Sequence, residues 1–249
     1  MVGRVAAMCY GVVAYLVFLF TFLYAIGFVG NWVVPKSIDS GEAGPLVTSL
    51  VINALLLSVF VIQHTIMARP AFKKWVTQFI PAAIERSTFV LLASLSLLLI
   101  FAFWQPTPAV LYDVSDTWAN WPLIILSLAG WMMVPLSSFV INHFDLFGLR
   151  QVYLHWKGSD YHHIPFQITG IYKVVRHPLM VGFIIAFWAT PTMTLGHLFF
   201  AIMTTIYIFI GVWFEERDLV TYFGDQYVAY RKQVHGFLPI PRRRSQSEG

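Results

Sequence analysis

Residues able to do chemistry gather at four places in this chain. These are His64, the run Asn142-His143-Phe144-Asp145, the run Arg176-His177-Pro178, and the cluster Glu215-Glu216-Arg217-Asp218. An imidazole exchanges protons near neutral pH. A proline at the first position of a helix leaves the next amides free, at the positive end of the helix dipole. Pro178 therefore suits a carboxylate, while Glu215 and Glu216, at the end of a following helix, suit an ammonium group. A ligand carrying both charges would match the pair. Tyr172, Phe183, Phe187, Trp213, Phe214 and Tyr222 lie near enough in sequence to hold a flat ring, and Gly182, one turn after Pro178, allows close approach. Each feature also has a plain structural use, as a helix cap, an interfacial anchor or a solvated helix end. What sets them apart is that they recur together.

A metal centre is not indicated. Cys9 is the single cysteine, no HExxH or HxxxH pair occurs, and the adjacent His162 and His163 would point about 100° apart on a helix. No GxGxxG follows a strand, so a soluble nucleotide fold is not indicated either.

The elements that must position these groups follow from composition. Apolar residues make up 58% of the 249 and charged residues 11%, and the mean hydropathy is +0.69. A soluble domain carries about 25% charged residues, so most of this surface must face a lipid bilayer. The same numbers exclude disordered, collagenous and disulfide-rich classes. The net charge of +4 fits the basic bias of cytoplasmic loops better than nucleic-acid binding.

Uncharged stretches predict four spanning helices near 8–30, 46–67, 87–104 and 121–143. The first is too long, and too weakly basic before it, for a cleaved signal peptide. A fifth stretch, His177–Phe214, would measure about 57 Å as one helix, nearly twice the hydrocarbon thickness. Pro191 and Gly196 interrupt it, which predicts a helical hairpin of 178–190 and 195–214 with its tip at 191–196 and a short first leg. With both termini in the cytoplasm, fifteen basic residues fall on the inner side and Lys36 alone on the outer side, which requires an even number of passes after residue 177. Trp32, Trp104, Trp118 and Trp121 then fall at the outer interface. The expected fold is all-α: a polytopic membrane protein of four transmembrane helices plus a C-terminal helical hairpin. Residues 1–144 would form the transmembrane part, 145–241 the ligand-binding catalytic part, and 242–249 a flexible tail. The four polar clusters then share one depth, at the cytoplasmic interface, and the outer half is expected to hold almost no polar groups. A tail helix would carry Phe223, Tyr227 and Tyr230 on one face, as a membrane-surface helix or a lid on the pocket.

The segments Arg176-His177-Pro178-Leu179-Met180-Val181-Gly182, Glu215-Glu216-Arg217-Asp218-Leu219 and Phe223-Gly224-Asp225-Gln226-Tyr227-Val228-Ala229-Tyr230-Arg231 resemble the C-terminal signature of integral-membrane methyltransferases. That superfamily includes the isoprenylcysteine carboxyl methyltransferases. Further motifs are similar to the methanethiol S-methyltransferases, which are grouped with nurim-like proteins: Pro35-Lys36-Ser37-Ile38-Asp39-Ser40-Gly41, Gln63-His64, Met67-Ala68-Arg69-Pro70, Glu85-Arg86-Ser87-Thr88, Ile141-Asn142-His143-Phe144-Asp145, and Phe187-Trp188-Ala189-Thr190-Pro191. The likeness extends from about residue 11 to 241. It implies S-adenosyl-L-methionine as cofactor, held at the hairpin base and tail by Tyr172, Arg176, His177, Pro178, Gly182, Glu215, Glu216, Arg217, Tyr227 and Arg231. Met180 stands where the superfamily usually has Tyr, so a tyrosine hydroxyl there is not carried over.

The resemblance implies methanethiol or another small thiol as acceptor. A thiol near neutral pH is mostly protonated, so the site needs a base or a positive group. The candidates are His64 and His143, with Asp145 orienting the imidazole and Arg150 as an alternative positive group. Two other readings stand beside this one. One is a related enzyme acting on a prenylated thiol, its carboxylate or another lipid. The other is a non-enzymatic nurim-like membrane protein or channel.

Overall fold

The structure is a computed structural model and describes residues 2–240. The expected tail at 242–249 lies outside the described residues. Long apolar helices dominate: α1 (Val2–Gly30), α2 (Leu46–Ala68), the short α3 (Pro70–Val76), α4 (Ala82–Phe103) and α5 (Asn120–Ile141). After α5 come two short helices, α6 (His143–Leu146) and α7 (Leu149–Lys157), an irregular stretch, and a 3-10 turn at Gly170–Lys173. The hairpin follows as α8 (Pro178–Trp188) and α9 (Leu195–Phe223), and α10 (Asp225–Gln233) ends the helical part. Five of these, α1, α2, α4, α5 and α9, are long and apolar enough to cross a membrane. This is a multi-pass membrane protein.

Prolines set several boundaries. Pro45 and Pro81 immediately precede α2 and α4, while Pro70 and Pro178 open α3 and α8. There the missing N–H costs nothing, because first-turn amides have no intrahelical acceptor. Pro191 separates the hairpin legs. Its tip is not a bare loop. Strand β2 (Thr192–Thr194) pairs antiparallel with β1 (Val110–Asp113) in the α4–α5 connection. The tip thus reaches the end of the bundle opposite the hairpin base, and the short leg α8 is completed by extended chain. Among the described residues, every lysine and arginine except Lys36 lies at the end where α5 finishes and α8 begins. We call this the basic end and its opposite the far end. At 29 residues, α9 is about 43 Å long, so its last turns stand beyond a hydrocarbon layer of about 30 Å.

One apolar core joins the helices before and after residue 144. It includes Phe28 of α1, Leu57 of α2, Ile100 of α4, Trp131 of α5, Phe187 of α8 and Phe200 of α9. In α5 and α8 the backbones meet at two glycines. A Cβ on Gly130 would lie 2.7 Å from the Gly182 carbonyl oxygen, and one on Gly182 would lie 2.7 Å from that of Gly130. Small residues are what permit such contact between membrane helices.

Two expectations about the far end need correcting. It is not devoid of polar groups. Asp39 accepts from Thr194 at 2.5 Å and from Asn31 at 2.8 Å, Asn53 bonds both backbone groups of Gln105, and His197 is buried with Nε2 2.8 Å from the Phe187 carbonyl oxygen. These bonds tie the hairpin tip to the loops, because an extended backbone at a bundle end needs partners that helices do not supply. Trp104 is also not an interfacial ring. It is fully buried against Phe28 and Phe200, whereas Trp118 and Trp121 are exposed as expected.

Candidate active site

The hairpin base is closed by one carboxylate. Glu216, near the end of α9, accepts from Arg176 Nη2 at 2.6 Å and Nε at 2.9 Å, stands 3.0 Å from His177 Nε2, and pairs with Arg231 Nε at 3.2 Å. Its side chain is 13% exposed and that of Arg176 8%. The chain after α10 straps this clamp down. Arg176 and His177 donate their amides to the carbonyls of His235 and Gly236, the Arg176 guanidinium also bonds the Val234 carbonyl, and Phe237 packs on His177. Pro178 and His177 are buried beneath it.

Glu215 is the contrast. Its side chain is 47% exposed, and the nearest basic side chain is His177, with Nδ1 at 3.6 Å. Arg69 and Arg86 act on it from further away. So of the two adjacent glutamates, Glu216 is spent on holding protein together and Glu215 has room for an added cation. Close by, the Tyr230 hydroxyl donates to the Tyr172 carbonyl at 2.6 Å. Burial, with Glu215 and Tyr230 nearby, holds the Tyr172 phenol well above its usual range. Burial, with Glu216 and Glu215 adding to it, does the same for Tyr227, and burial pushes Tyr230 up to about 12. These phenols stay neutral donors at any working pH.

The expected tail helix is broken at Gly224, where φ is +57°, but the aromatic face survives. Tyr227 and Tyr230 are buried with Phe223 against Phe166 and Ile168 of the irregular stretch. Of the other residues expected around a cofactor, Gly182 is turned to Gly130 rather than toward the clamp. Arg217 lies over the Trp213 ring at 4.8 Å.

His143 is packed in a way that leaves no nitrogen for a substrate. Its Nδ1 is 2.8 Å from Ser138 Oγ and its Nε2 2.8 Å from the Tyr15 hydroxyl. Ser138 already donates its proton to the Pro135 carbonyl, so His143 Nδ1 donates and Nε2 accepts from Tyr15. The ring stacks on Phe139 at 4.2 Å, and burial lowers its pKa. Asp145 does not orient this imidazole, contrary to expectation. It pairs with Arg150 at 2.9 Å and accepts from Tyr161 at 3.2 Å. The reason is local: Asn142 caps α6 by accepting from the Asp145 amide, which turns the two side chains different ways. Arg150 is engaged by Asp145 and by the His162 carbonyl.

His64 is the histidine left open. It lies in the last turns of α2 among Phe60, Phe89 and Tyr207. Neither ring nitrogen has a hydrogen-bond partner among the described residues. Nδ1 is buried without a partner. Arg69, at the end of α2, reaches across to α9. It pairs with Asp218 at 2.9 Å and lies over Phe214 at 5.2 Å. Arg86 of α4 sits 4.8 Å over the Phe89 ring, one of the three aromatic neighbours of His64. The basic end thus brings His64 and Arg86, on the α2–α4 side, within electrostatic reach of the charges on α9, with Arg86 acting on both His64 and Glu215.

Comparison with known proteins agrees. Over 240 residues the chain is 52% identical to a methanethiol S-methyltransferase of Mycobacterium tuberculosis, covering 96% of this chain and 98% of that one. The chain belongs to the methanethiol S-methyltransferase family. Another member, methanethiol S-methyltransferase 1 of Bradyrhizobium diazoefficiens, is 52% identical over 239 residues, 96% of this chain and 83% of the relative. The methanethiol S-methyltransferase relationship extends to nurim of Rattus norvegicus, 29% identical over 70% of this chain and 69% of that protein. No family model matches, and no solved structure does. The chain is a methyltransferase of the membrane. Two features of this basic end carry little or no mark in the sequence. Arg86 stood inside a quoted motif without a role, though a lone arginine at the start of an apolar span was a signal. The 234–237 strap carries no sequence signal, because it acts through backbone carbonyls.

Proposed function

We propose that the chain methylates methanethiol to dimethyl sulfide, with S-adenosyl-L-methionine as donor, among the polar groups of the basic end, and that this end faces the cytoplasm. The carrying observation is the unequal use of the two glutamates: Glu216 is saturated by Arg176, His177 and Arg231, while Glu215 is half-exposed and lies, like His64, within reach of Arg69 and Arg86. That fits a zwitterionic sulfonium donor. Glu215 would take its ammonium group, and the first-turn amides of α8, which has no side-chain cap, would take its carboxylate. Phe214 and Tyr222 lie on the same end of α9 as aromatic surface. The donor supplies a methyl group bonded to positively charged sulfur.

The chain's own residues do the rest. His64 accepts the thiol proton at Nε2 as the S–H bond breaks, leaving a thiolate. The thiolate sulfur forms its bond to the methyl carbon as the donor's carbon–sulfur bond breaks, and both products leave uncharged at sulfur. Because charge is cancelled in the transition state, exclusion of water favours it, and Phe60, Phe89 and Tyr207 wall the His64 side. Residues 145–241 supply the clamp, and the helices before them supply His64. Methanethiol and dimethyl sulfide are small and apolar, which suits exchange through lipid.

The test is product formation. Purified protein given S-adenosyl-L-methionine and methanethiol should yield dimethyl sulfide in the headspace and an equal amount of S-adenosylhomocysteine. Neither product rising above a protein-free control would reject the reading.

A further inference from the structure

Among the described residues, Arg86 is a guanidinium without an ion-pair partner. It sits at the start of α4, over the Phe89 ring. Its Nε donates to the Leu146 carbonyl at 2.7 Å, which anchors the side chain at the end of α6. No carboxylate among the described residues forms an ion pair with it, and its two Nη groups have no acceptor there. The groups that face it are Glu85 on its own helix, Asp145 of α6, Tyr161, Glu215 of α9, His64 of α2 and Lys73 of α3. Asp145 is already committed to Arg150, and Glu215 has His177, not Arg86, as its nearest basic side chain. Other buried polar atoms at this end also lack partners: Gln63 Oε1, His64 Nδ1, Glu85 Oε1 and Gln151 Oε1. Buried polar atoms are ordinarily paired. Three of these four are oxygens that accept and offer nothing to an anion, so what points to an anion here is the guanidinium itself, anchored through Nε with its Nη donors free.

We infer that Arg86 holds the acceptor sulfur as its thiolate, next to His64. This rests on the proposed reaction and names its anion-binding residue. A guanidinium aimed at the sulfur favours the charged over the protonated form, and it is weakly hydrated enough to sit in such a site. The proton goes to His64 and the sulfur's new charge faces Arg86, so acid and base stay together until the thioether forms. The Leu146 bond fixes the direction of the free Nη groups, so the same residue is both anchored and available.

The experiment compares the parent with Arg86→Gln and Arg86→Lys, measuring kcat/KM for methanethiol from about pH 6 to about pH 10 and donor binding by calorimetry. Arg86→Gln should lose about 10–100-fold near neutral pH, with the deficit shrinking as pH rises and free thiolate becomes available. Donor affinity should hold, and Arg86→Lys should keep more activity with the parent's pH profile. An equal loss at every pH, or lost donor binding with an unchanged profile, would overturn the inference while leaving the reaction standing. A parent that makes no dimethyl sulfide would defeat the reaction itself. If Arg86→Gln does not fold, inhibition of the parent decides. Iodide, a soft anion of thiolate size, should compete with methanethiol and not with the donor, and more weakly in Arg86→Lys. No competition would overturn the assignment.

Discussion

Replacing Glu216 by glutamine should unfasten the base of the hairpin. The carboxylate holds Arg176 at 2.6 and 2.9 Å, His177 at 3.0 Å and Arg231 at 3.2 Å. These bonds share one anion, so their energies do not add. Arg231, 44% exposed, belongs to the class of surface pairs worth about 0–1 kcal/mol. The governing quantity is the stranded charge of Arg176, since removing one partner of a buried pair costs about 3–5 kcal/mol. Arg176 keeps its bonds to the carbonyls of Val234 and Arg231, and glutamine retains one acceptor oxygen. Both considerations lower the expected loss to about 2–4 kcal/mol. At about 2–4 °C per kcal/mol for a chain of this size, the melting temperature should drop by about 5–15 °C. Tryptophan-fluorescence melts in detergent would read it, with Arg231→Ala as the control, expected to cost under about 1 kcal/mol. A Glu216→Gln protein melting within about 2 °C of the parent, or an Arg231→Ala variant equally destabilised, would refute the reasoning.

The neighbouring glutamate should behave in the opposite way. Glu215→Gln should melt near the parent but bind S-adenosyl-L-methionine about 10–100-fold more weakly by calorimetry, as expected for a lost charged partner. Gly182→Ala pushes a methyl group to 2.7 Å from the Gly130 carbonyl oxygen and 3.3 Å from Val134. It should cost about 1–3 kcal/mol in melting experiments while the folded fraction keeps its donor affinity. A large affinity loss instead would return Gly182 to the cofactor site. His143 carries a pH dependence whose sign is fixed: its folded pKa lies below its unfolded one, so its stability contribution is full above about pH 6.5 and is lost as pH falls toward the depressed value. Melts of the parent and His143→Gln at successive pH values should converge toward acid, and a constant gap would count against the buried neutral ring.

The long helices were legible because each apolar run is bounded by charges or proline, and the hairpin because Pro191 and the distribution of Arg and Lys demanded a return pass. That the charged clusters share one end of the bundle was legible for the same reason. Individual roles were not. His64 and His143 look alike in sequence, both histidines at the basic end of a span. What separates them is that Tyr15, 128 residues away in the chain, and Ser138 fill both nitrogens of His143, while no described residue fills those of His64. Glu215 and Glu216 are likewise indistinguishable until Arg176, His177 and Arg231 converge on one of them. The far-end polar cluster was missed because Asp39, Asn53 and His197 lie far apart in the chain and are joined only when the β1–β2 pair forms.

A structure determined with S-adenosylhomocysteine bound would reach the core of the account in one step. Its amino group should lie within hydrogen-bonding distance of Glu215, with the sulfur turned to the space between His64 and Arg86. Density for the ligand at the Asp39 end of the bundle, or a bound ligand that leaves Glu215 untouched, would contradict it.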